Sequence, residues 1–452
     1  MAVLILILKI YCVFIIALMT VYSIRHYVLT GNRLHKRQRI AYGDVYDSEL
    51  PYVSVLVPMH NEEKVLNNVL SSLLECDYDK DRMEIIAIND HSDDNTAEML
   101  DAWHEKYPFI NVLHRLEDNQ GRGKMYGLND AMEIAKGDVI IVFDADYTPS
   151  TGLVRKLAMA FIDPTVGAVM GRVIPRNATK NRLTSFLNLE RIGGYQVDMQ
   201  ARYNLGLIAQ YGGTVGGFRK DFLLKTGGFN TRVLAEDTEL TMRLYTNGYR
   251  VVYDNSAECY EEVPETWKVR GKQIRRWSRG HNAVMFRYFG KTILSKYLNF
   301  WQKVDGCLFL ACYLVPFLFV LGMGASIALF FLNEMNIVNS WLMLIFIGLY
   351  NTYGNFAAFY EISSGAILDG VEDAQLALPM LSILFYYNMW HISLGFFEAV
   401  LDLLPFRKVQ WNKTERFEEA PEVSPVLRVL ENESVEIKEP AEKRLTASGG
   451  AR

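Results

Sequence analysis

Two acidic clusters, Asp144-Ala145-Asp146 and Glu236-Asp237, precede the pentad Gln273-Ile274-Arg275-Arg276-Trp277 in this 452-residue chain. Asp144 and Asp146 flank one small residue, so both carboxylates can face one cleft and share a hard cation such as Mg2+ or Mn2+. A cation there would neutralise a diphosphate leaving group, the costly charge when a sugar departs from a nucleotide. Such a displacement needs one base on the acceptor hydroxyl, and Asp237 is the candidate. The ordinary use of this acidic pair would be to cap a helix over residues 238–246. Gln273, Arg276 and Trp277 stand at i, i+3 and i+4, so on a helix an amide, a guanidinium and an indole share one face. That face could hold a sugar by stacking and neutralise a diphosphate, although a helix in the membrane interface also favours Trp and Arg.

The elements that must position these groups are legible from Val53 onward, where β-rich runs alternate with amphipathic ones. This is the pattern of βαβ units and of an α/β domain with a mostly parallel sheet. Strands are predicted over residues 53–58, 84–89, 111–114 and 138–143, and helices over 63–74, 96–107 and 125–135. Ligands of an open parallel sheet bind beyond the carboxyl ends of its strands. Polar clusters occupy three such ends: Asn61-Glu62-Glu63, Asp90-His91-Ser92-Asp93-Asp94, and Asp144-Ala145-Asp146. Pro58, Asn61, Glu62 and Asp90 are therefore expected at a nucleotide sugar. Asp90 could instead cap the helix that begins at Thr96, a task for which Asp93 or Asp94 is better placed. Lys124, after Gly121-Arg122-Gly123, offers a point charge to phosphate, where a lysine at a helix start is otherwise a surface group. Residues 150–300 read as less regular, with glycine-rich turns at 211–217 and 227–229 that permit close approach to a ligand.

Residues 2–24 are apolar except for Lys9, and 307–332, 338–360 and 376–404 are each near the roughly 20 residues needed to cross a bilayer. A multi-pass protein of the cell membrane is expected. The first segment has no small-residue cleavage site, and Arg25, Arg33, Lys36, Arg37 and Arg39 follow it at once, which favours a retained anchor over a secretory signal peptide and places the next domain in the cytosol. Three later crossings would carry residues 411–416 outside, whereas Arg407, Lys408, Lys413 and Arg416 favour the inside. Segment 376–404, interrupted by Pro379, Asn388, His391 and Glu398, is the one expected to lie along the interface or re-enter. Residues 283–303 mix aromatic and basic side chains as an interfacial helix would. A net charge of −5, with no extended basic run away from the membrane flanks, excludes a nucleic-acid partner. The five cysteines have neither metal-ligand nor disulfide spacing. Residues 417–452 have the composition of a disordered tail.

Over about residues 52–300 and the flanking apolar segments, the ordered motifs resemble the membrane-embedded processive members of glycosyltransferase family 2. That group contains the cellulose, hyaluronan and poly-N-acetylglucosamine synthases, and the short poly-N-acetylglucosamine type is the nearest in layout. Asp90 matches the first family aspartate, Asp144-Ala145-Asp146 the metal motif, and Glu236-Asp237 the acidic motif with its base. Gln273, Arg276 and Trp277, extended by Arg279-Gly280, match the Gln-x-x-Arg-Trp signature. The resemblance implies a Rossmann-like cytosolic domain of glycosyltransferase A type and inverting transfer from a UDP-sugar, UDP-glucose or UDP-N-acetylglucosamine, to a growing β-linked polysaccharide. It implies a glycan or lipid acceptor, a membrane-lipid environment, and an acceptor-lining turn at Gln210-Tyr211-Gly212-Gly213-Thr214. It also implies a basic loop over the nucleotide at Trp411-Asn412-Lys413-Thr414-Glu415-Arg416, with Lys413 at the donor. Ala235 stands where threonine is frequent, and Asn89-Asp90-His91 replaces Asp-Asp-Gly, so sugar choice does not follow from cellulose synthase. No cyclic-dinucleotide sensor is expected. The expected layout is an anchor at 1–25, a catalytic domain at 50–300, a transmembrane region at 305–405, the basic loop at 406–416 and the tail at 417–452. A transferase adding one sugar to a lipid is the alternative, and a catalytically silent membrane scaffold or export partner is a third reading.

Overall fold

The computed structural model describes residues 1–36, 42, 46, 49–116, 121, 123–334, 336, 347–348, 353–371 and 377–404. The expected basic loop with Lys413, the tail, and most of segment 338–360 lie outside the described residues. The first half follows the sequence reading closely. Strands β1 (Val53–Met59), β2 (Met83–Asp90), β3 (Ile110–Arg115) and β4 (Val139–Val142) come with helices α2 (Leu66–Leu74), α3 (Thr96–Lys106) and α4 (Lys124–Ile134), after a long first helix α1 (Ala2–His35). In β1 only Pro58 is not fully buried, and every residue of β2 is buried, because helices cover both faces of the sheet and remove any alternation of polar and apolar positions.

The second half contains β5 (Thr148–Pro149), α5 (Leu153–Met159), β6 (Val166–Pro175), α6 (Arg182–Ile192), α7 (Gln200–Asn204), β7 (Gly216–Arg219), α8 (Lys220–Lys225), α9 (Glu236–Thr246) and β8 (Arg250–Glu261). All eight strands form one sheet in the order β3-β2-β1-β4-β7-β6-β8-β5. β3, β2, β1 and β4 are mutually parallel, β7 runs antiparallel between β4 and β6, and β6 pairs in parallel with β8. Part of the glycine-rich stretch read as a turn is thus the central strand β7. A Cβ at Gly216 would lie 2.4 Å from the Val169 carbonyl oxygen, so the crowding of neighbouring backbone accounts for glycine there. α6 and α7 are joined without a break by a π-helical stretch, Gly193–Met199.

Beyond the sheet, α10 (Trp267–Leu294), α11 (Phe300–Ala311) and α12 (Val315–Phe331) are followed by the helices Ala357–Leu368 and Leu381–Leu401. Among the described residues, α1 alone is long and apolar enough to cross a bilayer; α11 and α12, bent by 66°, together make at most a second span. The described residues thus support one crossing, or at most two, of the multi-pass layout expected. α1 runs antiparallel to the α11–α12 pair: Lys9 pairs with Glu334, just beyond α12, at 2.7 Å, and Tyr22 donates to the Leu308 carbonyl of α11 at 2.7 Å. The helix Leu381–Leu401 lies alongside α10, held by ion pairs Arg275–Glu398 and Arg279–Asp402, both at 2.5 Å. It accompanies the helix carrying the Gln-x-x-Arg-Trp residues.

Candidate active site

β1 lies between β2 on one side and β4 on the other, which makes the carboxyl ends of β1 and β4 the switch point where an open α/β sheet receives ligands. A cleft of about 1570 Å³ opens there. Its walls include Pro58, Glu62, Asp90, Lys124, Asp144, Asp146, Gly213, Thr214, Glu236, Asp237, Gln273, Arg276 and Trp277. Residues more than a hundred positions apart thus share one hollow. Two expected contacts stand apart from it. Asn61 is exposed, with φ of 54°, and accepts the Asp93 backbone N–H at 2.7 Å, so it ties the loop after β1 to the loop after β2. Tyr211 is 1% exposed and packs edge-on against Phe218 at 5.8 Å, which makes it a core residue beneath the glycine turn.

At the carboxyl end of β4, Phe143 extends the ladder by donating to the Leu56 carbonyl at 3.1 Å, and Asp144 follows at the rim. Asp144 is partly exposed, while Asp146 is 5% exposed in the floor. Lys124 opens α4 and donates to Asp144 Oδ1 at 2.7 Å and to the Gly213 carbonyl at 2.9 Å, with Glu236 Oε1 at 3.8 Å. Burial alone would lower the Lys124 ammonium, but the carboxylates of Asp144, Glu236 and Asp237 outweigh it and hold it above its usual value. The turn that meets Lys124 is strained: Gly213 has φ of 82°, and β-branched Val215 is held at 53°. Between them, Thr214 Oγ1 accepts the Asp144 backbone N–H at 3.0 Å.

Asp90 ends β2 in the cleft wall, and its carboxylate is engaged from three directions. Gly123 N–H donates to Oδ2 at 2.7 Å, His91 Nδ1 lies 2.8 Å from Oδ1, and Arg115 Nη1 also donates to Oδ1. Arg115, fully buried at the end of β3 and paired with Asp90 in register, reaches Asp130 Oδ2 at 2.7 Å and the Gly121 carbonyl at 2.9 Å as well. Asp90 therefore anchors the entry to α4 besides facing the cleft. The capping task falls to Asp94, whose Oδ1 accepts the Thr96 N–H at 3.0 Å.

Glu236 and Asp237 are the first two residues of α9, and the N-cap is Ala235, with no side-chain cap bond. The pair is therefore not the capping device weighed from sequence. Asp237 Oδ1 accepts the Thr238 N–H at 2.6 Å, and Gln210 Nε2 reaches Oδ2 at 3.5 Å. Burial drives both carboxyls upward; Lys124 opposes this at each, and the Thr238 N–H opposes it at Asp237. α10 crosses the start of α9 at Gly280, where a Cβ would come 2.9 Å from Ala235 Cβ. One residue on, the buried His281 is lowered to about 4 by desolvation, so its neutral ring donates from Nε2 to the Phe309 carbonyl at 3.0 Å and accepts at Nδ1 from the Thr238 hydroxyl at 3.2 Å. Arg275 and Arg279 turn toward the helix Leu381–Leu401, which leaves Gln273, Arg276 and Trp277 to the cleft.

The sequence reading missed Arg115, Arg191, Glu261, Arg270 and His281. Arg191 pairs with Glu261 at 2.6 Å, Tyr147 donates to the same carboxylate at 2.9 Å, and the Arg191 guanidinium stands 5.3 Å from the Trp277 ring centroid. Only Arg115 left a usable signal, a cation at the carboxyl end of a strand beside Asp90. Among the described residues no group of three or more His, Cys, Asp or Glu side chains forms a metal cage. Mg2+ is commonly bound by one or two carboxylates plus substrate phosphates, so Asp144 and Asp146 fit a cation that arrives with a diphosphate.

The profile described as "Glycosyltransferase like family 2" matches residues 51–280, about half of the chain and the whole span from β1 to Gly280. The chain belongs to this family. It is 34% identical over 383 residues to the probable glycosyltransferase YdaM of Bacillus subtilis (strain 168), covering 82% of this chain and 88% of that protein. It is 31% identical over 254 residues to the poly-beta-1,6-N-acetyl-D-glucosamine synthase of Staphylococcus aureus (strain COL), covering 56% of this chain and 60% of that protein. The mannosyltransferase PcManGT from Pyrobaculum calidifontis, solved in complex with GDP-Man and Mn2+, shares the fold with a TM-score of 0.57 at 22% identity over 80% of this chain and 98% of that one. The chain is thus a glycosyltransferase on an α/β scaffold of this type.

Proposed function

We propose that this protein is a membrane-bound inverting transferase that moves N-acetylglucosamine from UDP-N-acetylglucosamine to a growing β-linked glycan. The observation that carries the reading is the joining, in one cleft, of the acidic side chains Asp144, Asp146, Glu236 and Asp237 with the α10 face Gln273, Arg276 and Trp277. The similarity to the Staphylococcus aureus poly-beta-1,6-N-acetyl-D-glucosamine synthase supports the choice of sugar. Pro58, Glu62 and Asp90 would border the nucleotide, and Lys124 and Arg276 would face its diphosphate. Asp144 and Asp146 would hold Mg2+ or Mn2+ on that diphosphate, where the cation supplies charge neutralisation for the departing UDP. Asp237, fixed at the helix start by the Thr238 N–H, takes the proton from the acceptor hydroxyl. That hydroxyl oxygen forms the new bond to the anomeric carbon as the bond to UDP breaks, and one displacement inverts the anomeric configuration. Glu236 sits 3.8 Å from Lys124 and helps to keep that ammonium charged.

Trp277 would stack on the acceptor ring, with Gln273, Gly213 and Thr214 around it. The cleft continues past Trp277 to Tyr22, His26, Leu308 and Phe385 on the helices outside the sheet, which supports an acceptor or product lying toward the bilayer. The apolar members of that end also suit a lipid-linked acceptor and a single transfer. Incubating purified protein with a panel of UDP-sugars and Mg2+ or Mn2+, followed by product sizing, tests both. A ladder or high polymer from UDP-N-acetylglucosamine is the expected result; one short glycolipid would favour single transfer, and UDP release from no donor would refute the reading.

A further inference from the structure

Arg270 lies one turn before Gln273 on α10, and its side chain is 1% exposed. Nη2 donates to both carboxylate oxygens of Glu190, on α6, at 2.7 and 2.8 Å. Nε donates to Asn388 Oδ1 at 3.2 Å, and Nη1 donates to Gln273 Oε1 at 3.0 Å. Asn388 closes the circuit by donating from Nδ2 to Glu190 Oε2 at 3.0 Å. The Arg270 guanidinium carbon also stands 5.5 Å from the centroid of the Trp277 ring. Gly271 makes this circuit reachable from the helix Leu381–Leu401, since a Cβ there would meet Tyr387 Oη at 2.6 Å and the His391 ring at 2.8 Å.

A guanidinium has donors and no acceptor. The atom of Gln273 that meets Nη1 is therefore the amide oxygen, and the NH2 end is turned away from Arg270. An amide is free to flip unless a neighbour of fixed polarity decides its direction, and here Arg270 decides it. Gln273 thus meets the cleft as a hydrogen-bond donor, suited to a sugar oxygen. Trp277, whose ring lies near both Arg270 and Arg191, is restrained by the same assembly. Replacing the planar fork by a single ammonium would keep the charge near Glu190 but release the amide and the ring.

We propose that Arg270 is a positioning residue of the acceptor site: it fixes Gln273 as a donor and steadies Trp277, and Asn388 makes that arrangement depend on the seating of the helix Leu381–Leu401. This rests on the transferase reading given above. The test compares wild type, Arg270→Lys and Asn388→Leu, using UDP-N-acetylglucosamine with a β-1,6-linked N-acetylglucosamine oligosaccharide, and measures acceptor KM, kcat and UDP affinity separately. For Arg270→Lys the acceptor KM should rise at least tenfold while UDP affinity stays within twofold. For Asn388→Leu, which removes no group assigned to the donor or the acceptor, it should rise at least threefold. An acceptor KM within twofold of wild type in a folded Arg270→Lys, or an equal loss of UDP affinity, overturns the proposal. If Arg270→Lys does not fold, Asn388→Leu decides by the same criteria. A wild-type protein that transfers nothing refutes the functional reading instead, so the two failures are distinct.

Discussion

The proposed donor and acceptor sides of the cleft are built by different means. Asp90 and Asp144 are delivered by parallel strands a few residues upstream, and Lys124 by the start of the helix after β3, so local register sets their places. Gln273, Arg276 and Trp277 are set by helices that meet across long stretches of chain: Glu190 reaches Arg270, while Glu398 and Asp402 hold Arg275 and Arg279. A strand end can be replaced only by refolding the sheet. A helix held by side-chain pairs can shift without unfolding, so the acceptor side is the one on which modest changes should tune activity.

The largest effect should come where the two sides meet. Asp237→Asn is expected to lower transfer by about 10²–10⁴-fold, with UDP binding by calorimetry unchanged within threefold. Normal turnover would remove Asp237 from the chemistry. On the donor side, Arg115→Met leaves the buried Asp90 carboxylate without its guanidinium and should cost about 3–5 kcal/mol of stability in a denaturant titration. A loss below 1 kcal/mol would show that the strand end does not depend on this pair. On the acceptor side, Trp277→Ala should slow elongation about tenfold more than UDP-sugar hydrolysis, and equal losses would erase the distinction between the sides.

A smaller effect concerns pH. Burial raises Asp237 and Glu236, so in the folded protein each accepts a proton at a pH above the ordinary carboxylate value of about 4. If Asp237 is the base, as proposed, transfer needs its carboxylate, and activity should be full at high pH and fall as pH drops through that raised value. A profile flat down to pH 4, taken at saturating donor and metal, would place the base elsewhere.

The same difference explains what could be read in the sequence. β1, β2 and β4 announce themselves as apolar runs, each followed by a polar cluster, because a strand end carries its own signal within six residues. β6 and β8 passed unnoticed although they are the longest strands, since β6 contains two glycines and β8 mixes polar side chains into its run. β7 was hidden by the glycines that let it fit between β4 and β6. Arg270 gave no signal, because its partners Glu190 and Asn388 lie 80 and 118 positions away and only the folded chain puts them in contact. Tyr211 was misplaced because the glycine turn faces the cleft while the adjacent ring points into the core.

Whether both sides serve one transfer would be decided by a cryo-electron microscopy structure of the Asp237→Asn protein with UDP, Mn2+ and a β-1,6-linked N-acetylglucosamine oligosaccharide. The diphosphate should lie against Lys124, Asp144 and Asp146, and a terminal sugar ring on Trp277 with its hydroxyl within hydrogen-bond reach of Asn at position 237. An oligosaccharide bound outside this cleft, or a nucleotide seated away from the β1 and β4 ends, would contradict it.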